Sequence, residues 1–184
     1  MESEFHIFFV AVPLSVAYVP SVIQGDVALH QLSDTEVWDL WLRVDASILD
    51  EDVRIGLVQY GFVDDVAVMN QSQYVVGSVL KAELVAIHKA LALDFEKNCS
   101  SILIKSDSAV AVKALPQESY LLLGGLILFL KIACLCQLIY SCVSFKFLPH
   151  AENLVADKLA YLARVYRVCR RSVVREAIPF VIAI

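Results

Sequence analysis

Residues 104–115 read IKSDSAVAVKAL: an apolar run ends, an aspartate stands between two serines, and a helical pattern begins. Ser and Asp at such a junction satisfy the free backbone N–H groups of a helix's first turn, so Asp107 reads as a helix cap. It also reads as one member of a metal-binding cluster drawn from distant parts of the chain. Which reading holds depends on what the rest of the chain brings beside it.

Working outward, SSILIK (100–105) is a short apolar strand suited to full burial. Upstream of it, KAELVAIHKALALDFEKN (81–98) has a helical period, with Leu84, Ile87, His88, Leu91 and Phe95 on one stripe and Asn98 at its end. His88 on that stripe is most simply a core or boundary histidine. Before the helix, VWDLWLRVDAS (37–47), VRIGLVQYGF (53–62) and VAVMNQSQYVVG (66–77) have β-rich composition, with turn material at Val63–Asp64–Asp65. They read as a three-stranded meander. Downstream come a second helix, the strand SCVSFKF (141–147) and the helix AENLVADKLAYLARVYRV (151–168), whose Leu154, Val155, Leu159, Leu162 and Tyr166 form an inner face. The order β-β-β-α-β-α-α-β-α implies an α/β domain with a mixed five-stranded sheet flanked by helices. That domain spans 37–168, after an apolar N-terminal extension (1–36) and before a C-terminal tail (169–184).

Composition narrows the function classes. The 184 residues are 59% hydrophobic and 19% charged, with a mean hydropathy of +0.67, so either the core is large or some surface is apolar. A net charge of −5 and a pI near 5.3 give no overall attraction to nucleic acid, and any such partner must be held by a local patch. Five cysteines without paired CxxC spacing argue against a zinc site or a disulfide framework and favour a reducing compartment, cytoplasm or nucleus. Two stretches resemble membrane segments. Phe5–Ile23 is uncharged, but Glu2 and Glu4 precede it where a secretory signal carries positive residues, and Pro13 and Pro20 interrupt it. Leu121–Tyr140 is long enough to span a bilayer, yet Lys131 sits at its centre, as suits a buried amphipathic helix better.

Four acidic residues fall at notable places on this framework. Asp45 ends the first strand, Glu83 lies in the first turn of the first long helix, Asp107 follows the buried strand, and Asp157 is on the last helix. Each has a structural alternative: a strand-end turn residue, a favourable charge at a helix N-terminus, a cap, and a solvated helical face. The local wording around the four is VDAS, KAELVAI, KSDSAVAV and HAENLVADKLA, in that order.

These four phrases resemble those of the type 1 ribonuclease H fold, especially the reverse-transcriptase-like ribonuclease H domains abundant in plants and derived from retroelements. That family's patterns run D-G-S, A-E-L-x-A, x-D-S and E-A-N-x-x-A-D-x-L-A. The resemblance implies that Asp45, Glu83, Asp107 and Asp157 are the catalytic, metal-binding carboxylates, and that Asn153 is the asparagine of the last motif. It implies an endonuclease cutting the RNA strand of RNA–DNA hybrids, with Ala46, Ser47, Ser108 and Asn153 on the substrate side of the site. The chain also departs from the pattern. Ala46 replaces the glycine of D-G-S, the acidic ILDEDVR (48–54) follows it, and Phe147 stands where a histidine often precedes the asparagine by six residues. His150 occupies a position where many plant members carry arginine.

The chemistry of such a cluster stands on its own. Phosphodiester hydrolysis needs an activated water and a stabilised leaving oxygen, which two divalent ions supply together. Aspartate and glutamate oxygens without sulfur or imidazole suit Mg²⁺ or Mn²⁺ better than zinc, and no organic cofactor is called for. Three readings follow: a metal-dependent hybrid nuclease, a non-catalytic nucleic-acid module of the same fold, and a membrane-associated protein whose carboxylate phrases are coincidental.

Overall fold

In a computed structural model the described residues are 38–50, 52–60, 66–75, 77–93, 99–115, 126–139 and 142–173. The apolar stretch Phe5–Ile23 lies outside them. The strands are β1 (Leu40–Leu49), β2 (Asp52–Tyr60), β3 (Val66–Val75), β4 (Ser101–Ser106), β5 (Cys142–Phe147) and β6 (Arg170–Val173). The helices are α1 (Val79–Leu93), α2 (Ala109–Ala114), α3 (Leu126–Ile139) and α4 (Leu154–Tyr166), the last preceded by a 3₁₀ turn, His150–Glu152.

The strands form one sheet in the order β5-β4-β1-β2-β3-β6. β1, β2 and β3 make the antiparallel meander, while β4 and β5 run parallel to β1 on its other side. The sheet thus has six strands and not five. The sixth pairs antiparallel with β3 through Arg170–Val173, in the segment read as a tail. Four residues rich in arginine carry too weak a period-2 signal to stand out, and the exposed edge of β3 is what recruits them.

Alternation along the strands decides which face each residue serves. Leu40, Leu42 and Val44 of β1, with Val53, Ile55 and Leu57 of β2, are buried in the main core against α1 and α3. α1 contributes Leu84, Val85, Ile87 and Leu91, and α3 contributes Leu128, Phe129 and Ile132. The opposite face receives α4, where Val58, Ala67, Ala156 and Leu159 form a smaller core. α3 occupies 14 residues of the long apolar stretch Leu121–Tyr140. Among the described residues no helix is long and apolar enough to cross a membrane.

The open ends of β1 and β4 are clamped by Asp39. Its Oδ2 accepts the Ser100 hydroxyl at 2.7 Å and the N–H groups of Ser100 and Ser101 at 2.9 Å, and its own N–H donates to Ser101 Oγ at 3.0 Å. These donors hold its carboxyl down from 3.8 to about 2, the Ser100 hydroxyl contributing most. A depressed carboxylate contributes stability above its unfolded pKa and loses it as pH falls through the folded one. The expected result is a melting temperature that falls between pH ~4 and ~2 more steeply for the native chain than for Asp39→Asn. Equal slopes would show that the clamp does not bias folding.

Candidate metal centre

The helix that carries Glu83 begins two residues earlier than the KAEL pattern suggests, because Ser78 caps it. The Ser78 hydroxyl accepts the Lys81 N–H at 3.3 Å and its carbonyl accepts the Ala82 N–H at 3.2 Å. Glu83 is therefore in the second turn, on the buried face of α1, where the favourable field of a helix N-terminus has largely decayed. Asp45 is the sixth residue of β1, and Asp107 follows the last residue of β4.

The turn around Asp107 resolves the ambiguity of IKSDS. Ser108 is the cap of α2: its Oγ accepts the Ala111 N–H at 3.3 Å, and Ser106 Oγ accepts the Ser108 N–H at 3.1 Å. With the serines doing the capping, the Asp107 carboxylate points elsewhere. Asp45, Glu83 and Asp107 each offer a carboxylate oxygen, and these oxygens lie within 4.8 Å of one another. Three separate elements, from positions 38 and 24 residues apart, thus deliver acidic groups to one point.

Two of the three are deeply buried, Asp45 at 7% exposure and Glu83 at 6%. Burial, then the charges of Asp45 and Asp107, push Glu83 up from 4.5 to about 9, with the Ala46 N–H pulling the other way. Burial likewise raises Asp45 from 3.8 to about 7, reinforced by the charges of Asp107 and Asp157 and opposed by His150. Like charges in a shared, dry site disfavour joint ionisation.

Asp157 stands in the first turn of α4, outside the set that closes within 4.8 Å, and acts on Asp45 through its charge. Asn153 is wholly buried behind the carboxylates, not on an open surface. Its Nδ2 donates to the Val44 carbonyl at 2.9 Å and to Asp107 Oδ1 at 3.3 Å, tying the start of α4 to both β1 and the turn. The Ala46 N–H faces Glu83, and Ser47 follows on β1 opposite Arg54. His150 was not expected at the centre, yet its Nδ1 is 2.7 Å from Asp107 Oδ2, a contact that raises its pKa. Its place three residues before Asn153, on the 3₁₀ turn that precedes α4, was the available signal. Phe147, at the end of β5, is 47% exposed and is no core residue.

The donor set fits a divalent cation. The oxygens are hard ligands, two of the carboxyls resist ionisation without a countercharge, and Glu83 Oε2 is buried with no hydrogen-bond partner. One consequence is measurable without metal. A carboxyl raised from 4.5 to about 9 keeps a proton in the fold that the unfolded chain releases, so metal-free stability falls as pH rises across that interval. Glu83→Gln removes this term, and in chelator at pH ~8 it is expected to melt several degrees above the native chain, about 2 kcal/mol. The advantage should vanish near pH ~4.5. A lower melting temperature at both pH values would contradict the buried-acid account.

No family model and no curated protein matches the sequence. Solved structures do match. The ribonuclease H1 of the halophilic archaeon Halobacterium salinarum NRC-1 is 18% identical with a TM-score of 0.55, over 70% of this chain and 98% of that one. LC11-RNase H1, isolated from compost by a metagenomic approach, is 18% identical with a TM-score of 0.53, over 71% and 99%. The prototype foamy virus protease–reverse transcriptase is 15% identical with a TM-score of 0.53, over 72% of this chain but 22% of its own. LC11-RNase H1 also matches as its complex with an RNA/DNA hybrid, at a TM-score of 0.50. A mixed sheet of this order, with helices on both faces and likeness to ribonuclease H structures of archaeal and metagenomic origin, means that the chain has the ribonuclease H-like fold.

Proposed function

We propose that this protein is a metal-dependent endonuclease that hydrolyses the RNA strand of RNA–DNA hybrids. The observation that carries the reading is the convergence of Asp45, Glu83 and Asp107 within 4.8 Å on a ribonuclease H-like fold. Asp45, Glu83 and Asp107 would hold Mg²⁺ or Mn²⁺, with Asp157 adding charge at the rim. When bound, such ions supply an activated water and stabilise the leaving oxygen.

The chain's own residues prepare that site. Burial of Asp45 and Glu83 excludes water from the inner carboxyls, which strengthens their electrostatic hold on a cation. Asn153 holds Asp107 in place through Nδ2, and Ser106 and Ser108 accept the backbone N–H groups of the turn and of the first turn of α2, which leaves the Asp107 carboxylate free of the capping role. His150 is the imidazole nearest the cluster among the described residues and can exchange a proton at Nδ1 next to Asp107 Oδ2. Ser47 and the backbone of Ala46 lie on the same stretch of β1 as Asp45, the place from which ribose 2′-hydroxyls of one strand can be sensed.

The test is cleavage of a labelled hybrid under Mg²⁺ and Mn²⁺ titration, with single-stranded RNA and duplex DNA as controls. Metal-dependent cutting of the RNA strand in the hybrid alone is expected. Binding of the hybrid without cutting at any metal concentration would instead identify a non-catalytic module of the same fold.

A further inference from the structure

The segment that joins β5 to α4 carries His150 and Asn153 and leads into the turn that bears Asp157, yet it lies outside every strand. Its backbone is tied at one end, where the Leu148 N–H donates to the Ser106 carbonyl at 3.0 Å. It then bonds locally, the Glu152 N–H to the Pro149 carbonyl at 2.8 Å and the Asn153 N–H to the His150 carbonyl at 2.9 Å. A single 3₁₀ turn has poorer hydrogen-bond geometry than an α-helix, and local bonds do not fix its place on a sheet. Side chains have to do that.

Two consecutive residues of β1 grip two consecutive residues of this segment. The Val44 carbonyl accepts Asn153 Nδ2 at 2.9 Å, and Arg43 Nη1 donates to the Glu152 carbonyl at 2.6 Å. Strand alternation puts Arg43 on the same face of β1 as Trp41 and Asp45, about 7 Å along the strand from each. The guanidinium is braced before it reaches the turn. Its carbon lies 5.6 Å from the Trp41 ring centre and 5.3 Å from that of Tyr60. The two rings are register partners on β1 and β2 and stack at 3.9 Å, with 11° between their planes. Arg43 Nε is buried with no hydrogen-bond partner, and among the described residues no carboxylate forms an ion pair with this arginine. Its directed contact is the Glu152 carbonyl.

We infer that Arg43 is a positioning residue of the metal centre: braced by Trp41 and Tyr60, it fixes the His150–Asn153 segment on β1, and that segment in turn orients the Asp107 carboxylate. His150 Nδ1 meets Asp107 Oδ2 at 2.7 Å and Asn153 Nδ2 meets Oδ1 at 3.3 Å, so both oxygens are held from it. The inference rests on the reading of Asp45, Glu83 and Asp107 as cation ligands. Loss of a partner that orients a ligand without touching the ion typically weakens metal binding by about 10–100-fold. Arg43 acts one contact further out, which sets the expectation at the lower end. α4 does not depend on this bond, because it docks through Val58, Ala67, Ala156 and Leu159 and through its close approach to Gly56. The segment can therefore shift while the fold stays. Charge alone predicts the opposite sign: a guanidinium beside an acidic centre repels an incoming cation, so its removal would tighten metal binding.

The experiment titrates the full chain with Mn²⁺, counting free ion by its paramagnetic resonance. The native protein is compared with Arg43→Met, which keeps an unbranched stem without the donors, and with Arg43→Lys, which keeps the charge without the planar fork. Arg43→Met is expected to bind Mn²⁺ about tenfold more weakly while melting close to the native chain in chelator, and Arg43→Lys is expected to be weakened in the same direction. In chelator the side-chain amide resonance of Asn153 should move in both variants, a readout of the segment that needs no metal. Unchanged or tighter Mn²⁺ binding in Arg43→Met would overturn the inference; should that variant not fold, the same result in Arg43→Lys would do so. Weaker binding with the Asn153 resonance unmoved would also overturn it. A native chain that binds no Mn²⁺ would instead overturn the cation reading itself, and the role of Arg43 at a metal centre with it.

Discussion

Asp45→Asn is expected to lower metal-dependent hybrid cleavage by at least about 10³-fold, because it keeps the side chain's size and removes a charge that a divalent cation needs. Stability should move the other way. Asp45 is buried among like charges that raise its pKa to about 7, so an uncharged isostere relieves a cost in the metal-free protein. Single-turnover rates under saturating Mg²⁺, paired with thermal melts in chelator, check both halves. Cleavage within tenfold of native would remove Asp45 from the centre. Asp107→Asn tests the same idea from the turn. Ser108 and not Asp107 caps α2, so this variant should lose cleavage without melting lower, whereas normal cleavage with a marked loss of stability would return Asp107 to a structural role.

Gly56→Ala is expected to destabilise the domain by about 3 kcal/mol or more, among the largest effects of any single methyl group in this chain. Gly56 is the β2 partner of Asp45 in the sheet register. A Cβ there would overlap the Ala156 carbonyl oxygen and the Ala160 amide nitrogen, both of them α4 backbone. Flexible side chains could swing aside, but a helix backbone can only move as a body. Lifting α4 would also draw Asn153 away from the Val44 carbonyl and Asp107, so metal affinity should fall together with stability. Urea unfolding and metal titration of the same variant test the coupling. A loss below about 1 kcal/mol with unchanged metal binding would mean that α4 does not ride this close to the sheet.

Much of this architecture is legible residue by residue. The even positions of β1, Leu40, Leu42 and Val44, and the stripe Leu84, Ile87 and Leu91 of α1 are periodic enough to declare a buried strand and an inward helix. The four phrases holding Asp45, Glu83, Asp107 and Asp157 are local too, and their order along the chain carries the likeness to ribonuclease H domains. Where local reading fails, the competing force is tertiary. β6 exists because β3 offers an open edge, not because RRSV prefers a strand. Arg54, the third residue of a strand that reads as apolar, is 4% exposed, with Asp52 at 3.5 Å and its Nε and Nη1 without a hydrogen-bond partner. No periodicity in VRIGLVQYGF announces a buried cation.

The sequence by itself determined the α/β class and the order of the elements through α4, because periodicity, capping and turn chemistry act over a few neighbouring residues, while the acidic residues were singled out by the resemblance of the four phrases around them. Only the tertiary structure decided that Asp45, Glu83 and Asp107 share one 4.8 Å neighbourhood while Asp157 stands outside it, and that Ser108 takes the cap. It alone placed His150 against Asp107 and pressed α4 onto Gly56. Those outcomes depend on distances between segments far apart in the chain, set by sheet register and helix docking, which no stretch of the sequence encodes alone.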